Sequence, residues 1–113
     1  MTSPREQWPN LFWFFEVMHQ DYDVEFADKD DCLREATGDA STTDLQNALE
    51  QWHEAFDSAD DERTVEITTN FNSWWDADRL FGGHRQWAEW VRGHLEAELQ
   101  RRKANLSDAG DPV

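Results

Sequence analysis

Four potential metal ligands alternate along one short segment: His19, Asp21, Asp23 and Glu25. Imidazole and carboxylate groups commonly bind metal ions. The spacing argues against a site, because a helical His19 and an extended Glu25 would not converge. A calcium loop starting at Asp21 also fails, since its sixth position is Phe26 instead of Gly and its twelfth is Cys32 instead of Glu. We therefore expect no bound metal.

No other motif indicates an enzyme. Carboxylate pairs are abundant, but with 25 acidic residues in 113 such pairs arise by chance. The chain has no glycine-rich phosphate loop, nucleophile elbow or zinc-ligand spacing. Structural roles suit the remaining candidates, His53, His84, His94 and Cys32. We expect neither catalysis nor a cofactor, and a metal-binding or small catalytic domain centred on His19, Asp21 and Asp23 is the alternative.

The aromatic stretch before this segment predicts the first helix. Pro9 or Asn10 should begin it, since Pro suits a first turn and Asn an N-cap. Helical spacing relates a set of apolar residues, Leu11, Phe14, Phe15, Met18 and Tyr22. Phe12, Trp13 and Val17 widen this stripe until the helix is apolar almost all round. Such a pattern predicts a central, buried helix.

Three later segments also have helical patterns. The first covers about 28–37, with Cys32, Leu33 and Ala36 inward and Gly38 as its stop. The second is capped by Ser41, Thr42 or Thr43, and Thr43 with Gln46 fits a capping box. Its apolar stripe is Leu45, Ala48, Leu49, Trp52 and Phe56. The last runs from about His84 to Ala104, with the stripe Trp87, Trp90, Val91, Leu95 and Leu99.

The segment 62–72 is ambiguous between helix and strand. An alternation suggests a strand, at Val65, Ile67, Thr69 and Phe71. The spacing of Ile67 with Phe71 and of Thr64 with Thr68 instead fits a helix. A helix is predicted, since a lone strand would have no partner in this chain. The chain is therefore expected to be all-α, a single-domain bundle of about five helices over 8–104. Residues 1–7 should be a disordered lead-in and residues 105–113 a disordered tail.

The net charge of −15 is unevenly distributed along the chain. Residues 1–78 hold 20 acids and 4 bases, a net of −16, whereas residues 79–113 hold 5 acids and 6 bases, a net of +1. A field this negative disfavours nucleic acids and anionic membranes and favours a cationic protein partner. The single cysteine fits a reducing compartment. No signal-peptide pattern precedes the first helix, so we expect a cytoplasmic protein, monomeric when free.

The stretch WPNLFWFFEVMHQDYDVEF resembles the N-terminal signature of one family of contact-dependent growth inhibition immunity proteins. That signature is an aromatic-Pro-x-Leu helix followed by His-Gln-Asp-aromatic-Asp and an acidic turn. The matching residues here are Trp8, Pro9, Leu11, Phe12, Phe15, His19, Gln20, Asp21, Tyr22, Asp23 and Glu25. A looser match follows near the C-terminus, at Arg85, Gln86, Trp87, Trp90 and Val91. The sequence departs from the family pattern in its middle, at VEITTNFNSWWDADRLF.

The resemblance implies a small cytoplasmic protein that binds and neutralises the toxic domain of a contact-dependent effector, often a nuclease. A motif shared by relatives that bind different toxins cannot choose the toxin, so the signature residues should be scaffold. The predicted partner-binding residues are therefore the variable acids and two tryptophans: Asp57, Asp60, Asp61, Glu62, Trp74, Trp75, Asp76 and Asp78. A second candidate patch is Asp23, Glu25, Asp28, Asp30 and Asp31. An acidic regulator of an unrelated cationic protein shares the same physics and stays open.

Overall fold

The computed structural model describes residues 3–16, 29–71 and 77–110. In chain order the helices of these ranges are α1 Pro4–Gln7, α2 Pro9–Glu16, α3 Lys29–Asp39, α4 Thr42–Phe56, α5 Asp61–Phe71, α6 Ala77–Phe81 and α7 His84–Gly110. The described ranges contain no strand, which confirms the all-α prediction. The predicted number of about five helices is too low, because the short α1 and α6 were not anticipated.

The long α7 is the element on which most of the fold is assembled. It packs against α3, α4, α5 and α6, while α2 lies against α4 and α5 on the other side of the core. Trp87, Val91 and Leu95 are fully buried along α7. The indole of Trp52 on α4 donates a buried hydrogen bond of 2.8 Å to the carbonyl of Ala88. This bond gives the polar edge of a core tryptophan its partner and fixes α4 against α7.

The sequence patterns of α4 and α5 are confirmed by burial. Leu45, Ala48, Trp52 and Phe56 are buried, and Leu49 packs partly buried against them. On α5 the buried residues are Thr64, Ile67, Thr68 and Phe71, a helical spacing, and Val65 is exposed. The helix prediction is therefore right for residues 62–71 of the ambiguous segment. The glycine break is also present, with φ of 87° at Gly82 and 145° at Gly83.

The lead-in and the tail differ from expectation. Pro4 is the first residue of α1, and the Arg5 guanidinium lies over the Phe12 ring and donates to the carbonyl of Asn70 at 2.6 Å. These contacts place α1 against α2 and α5. At the other end α7 continues past Ala104 to Gly110, because neither Gly nor Pro interrupts residues 94–109.

Two helix ends and one buried face were also predicted wrongly. Gly38 does not stop α3, which ends at Asp39. The N-cap of α4 is Ser41, whose hydroxyl accepts from the backbone N–H of Asp44 at 3.0 Å, so Thr43 does not form a capping box with Gln46. The helix α2 is not buried all round: Leu11, Phe14 and Phe15 face the core, but Trp13 is 43% exposed. Within the described ranges, no helix is long and apolar enough to span a bilayer.

Candidate functional site

The described signature residues lie mostly in the core at the start of α2. Trp8, Leu11 and Phe15 are 6%, 0% and 0% exposed, whereas Pro9 is exposed at the first position of the helix. The backbone N–H of Leu11 donates to the Gln51 side chain on α4 at 3.0 Å, which satisfies one of the free donors of the first turn. Burial of this kind suits a structural role. His19, Gln20 and Asp21 lie outside the described residues.

The acidic turn, defined as Asp57–Glu62, contains two carboxylates that the fold itself uses. Asp57 contacts Nδ1 of His53 at 2.9 Å on the exposed face of α4. Asp60 caps α5, because its carboxylate accepts from the backbone N–H of Arg63 at 2.8 Å. The backbone carbonyl of Asp60 also accepts from the Thr64 hydroxyl at 2.8 Å. Part of this turn therefore stabilises a helix end in addition to any role toward a partner.

Of the remaining residues of the first predicted patch, three are exposed on the described surface and three lie outside the described residues. Asp61 and Glu62 are exposed in the first turn of α5, where negative charge is favourable. Asp78 is exposed in the first turn of α6. Trp74, Trp75 and Asp76 lie outside the described residues, so the predicted tryptophan anchor is not placed.

The second predicted patch contains a residue, Asp30, that links α3 to α7 through side-chain hydrogen bonds. One oxygen of Asp30 accepts from the Trp90 indole N–H at 2.6 Å and lies 3.0 Å from Nε2 of His94. Asp31 pairs with Arg34 at 2.7 Å on the surface of α3. Asp23, Glu25 and Asp28 lie outside the described residues. Asp30 therefore joins α3 to residues of α7 that lie 60 and 64 positions later in the chain, which is a structural role for a predicted contact residue.

A cleft between α2 and the α3–α4 linker was not anticipated. We call it the Trp13 cleft, and its volume is about 440 Å³. The residues that line it include Asn10, Trp13, Asp39, Ala40, Ser41 and Asp44. Asp39 and Asp44 are exposed, and within the described ranges neither carboxylate has an ion pair or a side-chain hydrogen bond. The cleft thus joins an exposed indole with two carboxylates that remain available to a ligand.

The linker side of this cleft is held by Arg102 of α7. Its guanidinium donates to four oxygens: the carbonyls of Thr37, Gly38 and Ala40 at 3.1, 3.2 and 2.7 Å, and the Thr42 hydroxyl at 3.0 Å. These carbonyls include the free acceptors at the C-terminal end of α3. Arg102 therefore fixes the path of the chain from α3 into α4, and with it the positions of Asp39 and Asp44.

Glu98 lies one turn before Arg102 and is nearly buried, at 8% exposure. A bidentate hydrogen bond from Arg101, at 2.6 and 2.7 Å, holds the pKa of the Glu98 carboxyl below its usual value, against the opposing effect of burial. The nearby charges of Arg101 and Arg102 act in the same direction as the hydrogen bond. The Glu98 carboxylate therefore stays ionised at neutral pH and remains paired with Arg101 and Arg102.

The described histidines all have partners within the fold. His53 contacts Asp57, His94 contacts Asp30, and Nδ1 of His84 lies 2.7 Å from the Thr68 hydroxyl. Cys32 is buried at 3% exposure. No group of three or more His, Cys, Asp or Glu side chains within the described ranges could hold a metal ion. The alternative centred on His19, Asp21 and Asp23 falls outside those ranges.

Sequence could have indicated the cleft through one signal. Trp13 lies opposite Leu11 and Phe15 on a helical wheel, so one of the two faces had to point away from the core. The acids of the linker region, Asp39 and Asp44, flank the next helix start in the sequence. No family model matches the chain, and comparisons with curated proteins and with solved structures give no significant match.

Proposed function

We propose that this chain is a cytoplasmic inhibitor that binds a cationic toxin domain one to one, as an immunity protein of a contact-dependent growth inhibition system. One observation supports this above the others: the net charge is −15, and residues 1–78 contribute −16 of it. All described acids before Arg79 are exposed except Asp30 and Asp31, which are half-buried. The negative field therefore extends from the surface of α1–α6 into solvent.

The physical advantage of this field is fast capture. Many toxins of this kind are nucleases, and a nuclease presents a cationic cleft for phosphate. Opposite fields raise association rate constants toward about 10⁸ M⁻¹s⁻¹ at low salt. Rapid association matters for an inhibitor whose target is lethal while free. The inhibitor then acts by covering the toxin surface, a role that requires no catalytic group of its own.

The proposal predicts that a toxin domain is encoded immediately upstream of this gene, and the test is binding to that domain. Isothermal titration should give a one-to-one complex with submicromolar affinity in moderate salt, and the affinity should fall as sodium chloride is raised. Toxin activity should be lost at the equivalence point. The matched control is a toxin domain of similar positive charge from an unrelated locus, which should bind at least about 100-fold more weakly. Absence of a complex at micromolar concentration, or equal binding of the control, would contradict the proposal.

A further inference from the structure

Trp13 stands out because large hydrophobic side chains are seldom left in water on this surface. Among the described residues the exposed large hydrophobics are Trp13 and Val65. Val65 is on α5 with the exposed Glu62 and Glu66, whereas Trp13 lines a cleft of about 440 Å³. Exposed tryptophans within concave surfaces are typical of the residues that contribute most to protein–protein binding.

The charges around Trp13 define which side chain would bind there. Asp39 is the last residue of α3 and Asp44 is in the first turn of α4, and both line the same cleft as Trp13. An indole face attracts a guanidinium, which is planar and stacks, and carboxylates accept its N–H groups. An apolar partner side chain would leave two carboxylates desolvated without partners, which is costly. A lysine would gain the charge contact but would lose the stacking.

The position of Asp39 adds weight to this choice. A carboxylate at the C-terminal end of a helix faces the negative end of the dipole, so it is unfavourable for the isolated fold. The Arg102 guanidinium offsets the helix carbonyls there, at Thr37 and Gly38, but it forms no ion pair with Asp39. A favourable interaction with its own helix end therefore does not account for the Asp39 charge.

We propose that the Trp13 cleft receives an arginine side chain of the cationic partner, with the guanidinium over the Trp13 indole and paired with Asp39 and Asp44. This assignment rests on the proposed function and names the contact surface that it requires. The acidic turn then contributes mainly to the long-range field. The anchor tryptophan is on α2, inside the aromatic stretch, and the recognising acids are those of the α3–α4 linker region.

The experiment compares two double variants that remove the same charge from two surfaces. Asp39→Asn/Asp44→Asn alters the cleft, and Glu50→Gln/Glu54→Gln, at exposed positions of α4 outside both predicted patches, is the control. Trp13→Leu removes the indole without changing the charge. Thermal unfolding of each variant verifies that it is folded. Binding is measured for two probes, the upstream toxin domain and the blocked peptide acetyl-hexaarginine amide. Indole N–H signals in ¹H–¹⁵N NMR report on the site, with the Trp13 signal assigned by its loss in Trp13→Phe.

With both probes, the cleft double variant and Trp13→Leu should each weaken binding by about tenfold or more, and the control by less than about threefold. The Trp13 indole signal should shift on titration of the wild-type protein. Equal losses of affinity for the two double variants, with either probe, would overturn the proposal. They would show that binding depends on the total negative charge and not on a specific site at Trp13. If the toxin domain does not bind the wild-type protein, the proposed function fails, and the peptide alone decides whether the cleft binds arginine.

Discussion

The acidic turn and the Trp13 cleft are both negative and exposed, but their carboxylates differ in what they contact. In the acidic turn, Asp57 contacts His53 and Asp60 caps α5. In the cleft, Asp39 and Asp44 have no side-chain partner within the described ranges. Equal charge in the sequence thus divides into acids that stabilise the fold and acids that remain for a ligand. The predicted contact patch contains acids of both kinds, since Asp57 and Asp60 have partners in the fold whereas Asp61, Glu62 and Asp78 are exposed.

Among the substitutions that compare the cleft with the acidic turn, Arg102→Gln should have the largest effect on stability. The substitution removes the charged donor from the carbonyls of Thr37, Gly38 and Ala40, so the free energy of unfolding should fall by about 2 kcal/mol. Urea denaturation measures the loss. Lys103→Gln, an exposed neighbour on the same helix, is the charge-matched control and should change stability by less than about 0.5 kcal/mol.

Arg102→Gln also tests whether the cleft depends on its support. If the linker loses its fixed path, binding of a cationic partner should weaken although none of the cleft residues has been changed. Equal stability of the Arg102→Gln and Lys103→Gln variants would show that the four hydrogen bonds of Arg102 do not hold the linker.

A smaller effect is expected in the acidic turn. Asp60→Ala removes the N-cap of α5 and should lower the free energy of unfolding by about 1 kcal/mol. Asp61→Asn, one residue later, keeps the cap and should cost less than about 0.5 kcal/mol. Chemical denaturation of the two variants gives the difference. If Asp61→Asn lowers the free energy of unfolding as much as Asp60→Ala does, the acids of this turn stabilise α5 through the helix dipole and not through the N-cap hydrogen bond.

The smallest effect should have the opposite sign. Asp39→Asn removes a negative charge from the C-terminal end of α3 and should raise the free energy of unfolding by about 0.3 kcal/mol. Asp44→Asn, in the first turn of α4, should lower it by a similar amount. Urea denaturation at low ionic strength measures the free energy of unfolding of both variants and shows whether the two changes have opposite signs. A clear destabilisation by Asp39→Asn would show that the fold itself uses this carboxylate, which would remove one argument for the cleft.

Local pattern was sufficient to predict most helices. The stripe Leu45, Ala48, Trp52 and Phe56 gives α4 its register, and all four are buried. For 62–72 the alternation of Val65 and Ile67 suggested a strand, but burial at Thr64, Ile67, Thr68 and Phe71 follows the helical period. Periodicity succeeds here because one helix face supplies the whole apolar contact.

Contacts distant in sequence explain where prediction stopped. Gly38 looked like a helix stop, yet Arg102, 64 residues later, supplies donors to the carbonyls of this helix end. Trp13 was expected to be buried, because the first helix is apolar almost all round in the sequence, but the helices packed against α2 leave it 43% exposed. The availability of Asp39 and Asp44 likewise depends on which side chains the folded chain brings near them, and sequence composition does not contain that information.

The central position of α7 has a consequence for synthesis. Asp30 meets Trp90 and His94, Trp52 meets Ala88, and the end of α3 meets Arg102, so the helices made first have their partners in the part made last. A ribosome-bound chain that stops before His84 lacks the surface that covers α3, α4 and α5. Packing of α3, α4 and α5 therefore has to wait until α7 has been translated, and until then a nascent chain exposes the aromatic α2 and an incomplete core.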